Sequence, residues 1–152
     1  MTHGVLPQRA YVADVMATVT EWPEVHTRPH RFGGYEFTLR EREVGHLHDN
    51  GFLDIPFPRR LRDALVDEGR TGTHHLYPDS GWTTYRVNSP ANVSQAVELL
   101  RLAYLHHCCV LDPFGEDLLA DIDVERELDE LGVSDDCKAV FAAFRSLPVG
   151  AP

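Results

Sequence analysis

The chain has 152 residues, about one domain's worth, and its 43% apolar content is that of a sequence that folds around a core. Fourteen basic residues against 24 acidic ones give a net charge of -10, which opposes a nucleic-acid partner, because that affinity comes from neutralising phosphates with Lys and Arg. No run approaches the roughly 18–20 apolar residues of a membrane span, and the N-terminus MTHGVLPQRA lacks the charged and apolar regions of a signal peptide. Cys108, Cys109 and Cys137 form neither a disulfide framework nor a Cys-x-x-Cys knuckle. The expectation is a cytoplasmic protein with reduced, partly buried thiols and no membrane partner.

From Pro7 to Trp22, Val12, Val15, Met16 and Val19 recur at helical spacing, and Pro23 ends the run. Short β-rich pieces follow at 25–30, 35–40, 43–48, 52–57, 74–77 and 82–87, with Gly33-Gly34, Asn50-Gly51 and Ser80-Gly81 as turns. One amphipathic helix interrupts them, opened by Pro58, carrying Leu61, Leu65 and Val66, and stopped at Gly69. Ser89 then caps a long helix with Pro90 in its first position, and Val93, Ala96, Val97, Leu100, Ala103 and Tyr104 mark its apolar face. Two further helices are expected: Glu116 to Leu131 closed by Gly132, and Asp135 to Leu147 capped by Ser134 and stopped by Pro148.

This order predicts an α+β fold: an antiparallel meander sheet with one inserted short helix, a long helix packed on one face, and a C-terminal helical hairpin. Residues 1–111 read as the core and 112–152 as an acidic helical tail packed on it or extending it. From Asp112 to Asp136 the only basic residue is Arg126, a pattern expected of a solvated helix face. The other face of the sheet, or a groove beside it, is left for ligands.

The chemistry concentrates in histidines. His46 and His48 lie two apart on a strand, so they project together and can hold a metal, share proton transfer near neutral pH, or hydrogen-bond in a polar groove. A two-residue Asn50-Gly51 turn would set them beside Leu53 and Ile55, whereas a three-residue loop with a bulge would set His46 opposite Asp54, where a two-histidine, one-carboxylate site becomes conceivable. Regular pleating sends Glu43 to the opposite face, and only a bulge would bring it round. His74 and His75 precede Trp82, and on a strand each would face a different side. His26, Arg28 and His30 share a face suited to an anionic oxygen on a ligand. His106-His107-Cys108-Cys109 looks like a metal string, but neighbours on a helix end diverge. No G-x-G-x-x-G or Walker pattern opens a helix and no G-x-S-x-G elbow occurs, so NAD, ATP and serine hydrolysis are not expected.

The segments EVGHLHDNGFLDIPF, THHLYPDSGW and LLRLAY together resemble the small luciferase-like domain family that includes the fungal luciferases, over roughly Pro23 to His107. The matching points are Arg42-Glu43, His46, His48, Asp49, a histidine near His75, Trp82 and Tyr104. Fungal members oxidise a hydroxypyrone luciferin with molecular oxygen. The resemblance therefore implies an oxygen-using site without flavin, in which the paired histidines serve as base or ligand. The chain departs from the fungal pattern by its acidic tail, by a shorter loop between His75 and Trp82, and by an N-terminus expected to carry no membrane anchor. The element order is also similar to YjbR-like α+β domains, whose link to nucleic acid the charge balance opposes.

The resulting expectation is an oxygen-using enzyme acting on a planar enol or phenol-type small molecule. His46, His48 and His75 are its catalytic candidates, and Arg28, Asp54, Trp82 and Tyr85 its substrate-binding candidates. A metal held through His46 and His48 is the one cofactor the residues suggest. The competing reading is a non-catalytic small-molecule-binding or protein-interaction module in which the same aromatics hold a ligand.

Overall fold

A computed structural model describes residues 5–30 and 33–145, and side chains from residue 8 onward. Arg31 and the expected end of the last helix at Leu147 and Pro148 lie outside the described residues. Helix α1 (Val5–Val19) leads into strands β1 (Val25–Pro29), β2 (Tyr35–Leu39), β3 (Arg42–Leu47) and β4 (Phe52–Pro56). Helix α2 (Arg59–Asp67), strands β5 (Gly72–Thr73) and β6 (Trp82–Arg86), and helices α3 (Pro90–Leu111), α4 (Val124–Leu131) and α5 (Asp135–Arg145) complete the chain.

The six strands form one antiparallel sheet, as expected, in the order β1-β2-β3-β4-β6-β5. The first four follow the meander, but β6 returns beside β4 and leaves β5 at the edge, because α2 carries the chain past the sheet before the last two strands pair. The strand expected at 74–77 is displaced to Gly72–Thr73. Residues 74–77 instead turn around the His74 ring, whose Nδ1 accepts the backbone N–H groups of Leu76 and Tyr77, both at 3.1 Å.

Helix α3 is built as its sequence indicates. Ser89 Oγ accepts the Asn92 N–H at 3.2 Å, Pro90 sits in the first turn, and Leu99, Leu100, Leu102 and Ala103 are buried. The helix packs against α1 and across β3 and β4. Gly45 of β3 allows this approach: a Cβ there would stand 3.1 Å from Ile55 Cγ1 and 3.2 Å from Leu100 Cδ2. Trp22 and Tyr104 meet with ring centroids 5.4 Å apart, and the Tyr104 hydroxyl donates to the Pro23 carbonyl at 3.0 Å. Tyr104 therefore braces helix against sheet, away from any ligand face.

The helix expected from Glu116 is shorter and begins at Val124. The Asp112 carboxylate takes the N–H groups of Glu116, Asp117 and Leu119 at 2.8–2.9 Å, holding 113–123 in turns where a helix would need those donors elsewhere. Gly132 closes α4 in the left-handed conformation at φ 67°, and Ser134 Oγ caps α5 through the Cys137 N–H. Cys137, Val140 and Phe141 join the same apolar cluster as the sheet and α3. Several acids of the tail are paired: Glu127 with Arg101 at 2.6 Å, Asp117 with Arg40 at 2.5 Å, and Asp129 with Lys138 at 2.7 Å.

The three cysteines are unpaired and buried, and burial pushes Cys108 and Cys137 up to about 12 and Cys109 to about 11. Among the described residues, no helix is long and apolar enough to cross a membrane. Because Leu100 is fully buried at the crossing of α3 over β3, Leu100→Ala should lower stability by about 2–5 kcal/mol. Urea denaturation would show this as a lowered midpoint with an unchanged slope.

Candidate functional site

The connection from β3 to β4 decides what the paired histidines face. His48 N–H bonds to the Phe52 carbonyl at 2.9 Å and Leu47 pairs with Leu53, so Asp49, Asn50 and Gly51 form a three-residue loop, with Gly51 at φ 89°. Of the two open turns, this is the one that sets His46 directly opposite Asp54. Arg28, Glu36, His46, Asp54 and Thr84 are successive Cα partners, so one row of polar side chains crosses five strands on the face away from α3. The opposite face carries Phe37, Leu39, Leu47, Leu53 and Ile55 into the core.

A second local irregularity adds a group that regular pleating excludes. The β2–β3 register shifts between Phe37 and Thr38, from Phe37 opposite Gly45 to Thr38 opposite Glu43, leaving Val44 as the extra residue of a bulge. Glu43 thereby comes to the histidine face, with Oε2 2.8 Å from His46 Nδ1. Its neighbour Arg42 goes the other way and donates from Nε to His107 Nδ1 at 2.9 Å.

Asp54 is the centre of the arrangement, only 2% exposed. Its Oδ2 lies 3.2 Å from His46 Nε2 and 3.1 Å from His48 Nε2, with His74 and His75 Nε2 at 3.8 and 3.9 Å. Its Oδ1 accepts the Thr84 hydroxyl at 2.7 Å. His74 and His75 both reach this carboxylate because 74–77 is a turn and strand alternation does not apply to it. His30 stacks on His46 at 4.2 Å between centroids, and Trp82 lies 5.3 Å from the same ring. Phe52 meets His75 at 5.4 Å and Tyr77 stacks on His74 at 5.4 Å. These side chains enclose a cavity of about 670 Å³, with Leu76 and Tyr77 at 65% and 64% exposure on its border.

The electrostatics follow from one carboxylate shared among imidazoles. Burial opposes a charge on His46, but its hydrogen bonds to Asp54 and Glu43 outweigh that cost and raise its pKa to about 9. Burial likewise opposes ionised Asp54, and hydrogen bonds from His46 and Thr84 overcome it, lowering its pKa to about 2. His30 and His74 are lowered, first by burial. With no metal bound, His46 is thus an imidazolium at neutral pH and does not act as a base.

Of the residues singled out from the sequence, His46, His48, Asp54, His75 and Trp82 converge on this cavity. Arg28 lies on the same face but outside the cavity, its side chain 62% exposed and paired with Glu36 at 2.6 Å. Tyr85 does not join Trp82 in lining it: three residues apart on a strand, the two face opposite sides, and the Tyr85 hydroxyl accepts from Asn92 Nδ2 at 2.9 Å. His106 and His107 are buried on the helix side, and burial lowers them to about 4 and about 3, so both are neutral. Thr84 and the paired approach of His74 and His75 were missed, and Glu43 was expected on the opposite face for want of a bulge, since each depends on a bulge, a register or a turn.

The Asp54–His46 pair should give stability a defined pH window. His46 contributes fully below its ordinary 6.5, and this is lost as pH rises through about 9. Asp54 contributes above its ordinary 3.8, and this is lost as pH falls through about 2. In chelator-containing buffer, urea midpoints should be highest between roughly pH 4 and 6.5, and Asp54→Asn should flatten the decline on the alkaline side. An Asp54→Asn profile parallel to the wild type would contradict this coupling.

No curated protein and no solved structure matches the chain. A family model described as Luciferase domain matches residues 41–103, and the likeness to YjbR-like domains receives no such support. The match runs from the β3 bulge through β4, α2, β5 and β6 into α3, and so includes Glu43, His46, His48, Asp54, His75 and Trp82. Residues 41–103, which build the floor and most of the wall of the histidine cavity, are thus similar to a Luciferase domain.

Proposed function

We propose that the protein is an oxidative enzyme that uses molecular oxygen on a planar enol or phenol-type small molecule seated in the histidine cavity. The observation that carries this reading is the convergence of four imidazoles on the buried Asp54 carboxylate beneath aromatic walls. Such a site offers apolar surface for a flat ring and a few fixed polar groups to orient it. The luciferase-like character of residues 41–103 supports oxidative chemistry as the class.

The residues divide the work by their environments. Trp82, Phe52 and Tyr77 would sandwich the substrate ring. A positive charge at His46 Nε2, a proton or a cation in its place, would attract the substrate oxygen and stabilise it as an oxyanion. His75, 40% exposed on the open side of the cluster, would take the hydroxyl proton. His74 cannot serve as that base: its Nδ1 is committed to two backbone N–H groups, so in the neutral ring Nε2 carries the hydrogen. Loss of the substrate proton makes the ring electron-rich, which is what reaction with oxygen requires. We further infer a cytoplasmic enzyme with a small-molecule substrate and neither nucleic-acid nor membrane partner, supported by the unpaired buried cysteines and the net charge of -10.

The test is oxygen consumption with hydroxypyrones and catechols in air and under argon. Turnover should require oxygen, and His75→Ala should lower kcat by roughly 10²–10⁴-fold while the ligand still binds. Tight binding of these compounds with no oxygen uptake in any condition would replace the enzyme reading with that of a binding module.

A further inference from the structure

We propose that His46, His48 and Asp54 hold a divalent transition-metal ion, iron(II) in the working enzyme, as a two-histidine, one-carboxylate face. The inference builds on the cavity being the oxidative site, and it assigns the group that would meet oxygen there. The three ligand atoms, His46 Nε2, His48 Nε2 and Asp54 Oδ2, all lie within 4.8 Å of one another, with the two nitrogens 3.2 and 3.1 Å from the oxygen. With metal–ligand bonds of about 2.0–2.2 Å, neighbouring ligands around one ion stand roughly 3 Å apart, so little movement is needed.

The hydrogen bonding behind these atoms points the same way. Glu43 as a carboxylate can only accept, so His46 Nδ1 must donate to it at 2.8 Å. In the metal-free ring the Nε2 proton bridges to Asp54 Oδ2, and a bound cation would take that proton's place with the Nε2 lone pair as its ligand. A carboxylate behind a histidine is also the usual support of a metal-ligating imidazole, fixing its tautomer and strengthening it as a donor. Thr84 occupies Asp54 Oδ1 at 2.7 Å and leaves Oδ2 for the ion.

His74 is excluded as a ligand by its tautomer and instead aims an N–H at the same carboxylate. The three ligands come from β3, the residue just past its end and the neighbouring β4, so they occupy one side of the ion, and the cavity bordered by Trp82 and Tyr77 lies on the other. Three protein ligands with open positions of this composition are the arrangement suited to iron(II) and oxygen chemistry.

The experiment uses the untagged full chain, stripped with chelator and titrated anaerobically with iron(II), and with cobalt(II) as a visible-absorbing probe. One ion per chain is expected by calorimetry and elemental analysis. His46→Ala, His48→Ala and Asp54→Asn should abolish stoichiometric uptake, and Glu43→Gln should weaken it roughly 10–100-fold at unchanged stoichiometry. Circular dichroism establishes which variants are folded; if the ligand variants are not, wild-type stoichiometry and the Glu43→Gln shift still decide. A wild-type chain that binds no stoichiometric ion overturns the proposal, as do folded ligand variants that retain wild-type affinity. Metal uptake without oxygen consumption would uphold the site and reject the oxidative reading, while oxygen consumption by the metal-free chain would do the reverse.

Discussion

Burying an ionised carboxylate in the middle of a sheet costs several kcal/mol unless its oxygens are met by donors or cations, and the cavity face of this protein is organised around meeting that cost at Asp54. β3 and the residue just past its end supply His46 and His48, β6 supplies Thr84, and the turn after β5 brings His74 and His75 to the same carboxylate. Because these donors come from separate segments, the carboxylate ties together elements that contribute little apolar surface of their own. β5 is two residues long and the 74–81 segment has no regular structure, so its position over the sheet depends on this polar centre.

The two faces of the sheet do different work. Toward the helices, Phe37, Leu39, Leu47, Leu53 and Ile55 meet α3 across the glycine at 45, and Tyr104 ties that helix to Pro23. Toward the cavity, the polar row from Arg28 to Thr84 is graded by burial. Its outer member is solvated and neutralised by Glu36, while its inner members share one buried charge. Any ligand in the cavity would meet the inner, less screened end, where electrostatic interactions are strongest. The tail helices add to the apolar layer through Cys137, Val140 and Phe141 and leave the cavity untouched.

The β3 bulge links these faces to the chemistry. By adding Val44 to one strand it rotates Glu43 onto the cavity side, behind His46, and sends Arg42 to the helix side, against His107. Two adjacent residues of opposite charge thus act in different layers. Fixing Nδ1 of His46 determines what its Nε2 can present to Asp54, so a one-residue insertion in the ladder controls the protonation and ligand properties of the central ring.

Local signals were sufficient for most of the fold. Helical spacing, the Ser89 cap with Pro90, the Gly132 stop and the glycine turns are written within a few residues of where they act, and they appear as expected. Strand parity likewise puts His46 and His48 on one face, and the same parity separates Trp82 from Tyr85. The sequence could not decide between two turns at Asn50-Gly51, it put a strand at 74–77 where the His74 ring organises a turn, and it extended a helix over 116–123 where Asp112 captures the backbone donors. Those outcomes depend on partners far along the chain: a ladder register is settled by both strands and the core they bury, and a bulge by which residue the neighbouring strand leaves unpaired. Sequence alone determined that a histidine pair would stand on an antiparallel sheet. Only tertiary structure decided that it would face Asp54, because facing is a property of register, and register is a property of the whole sheet.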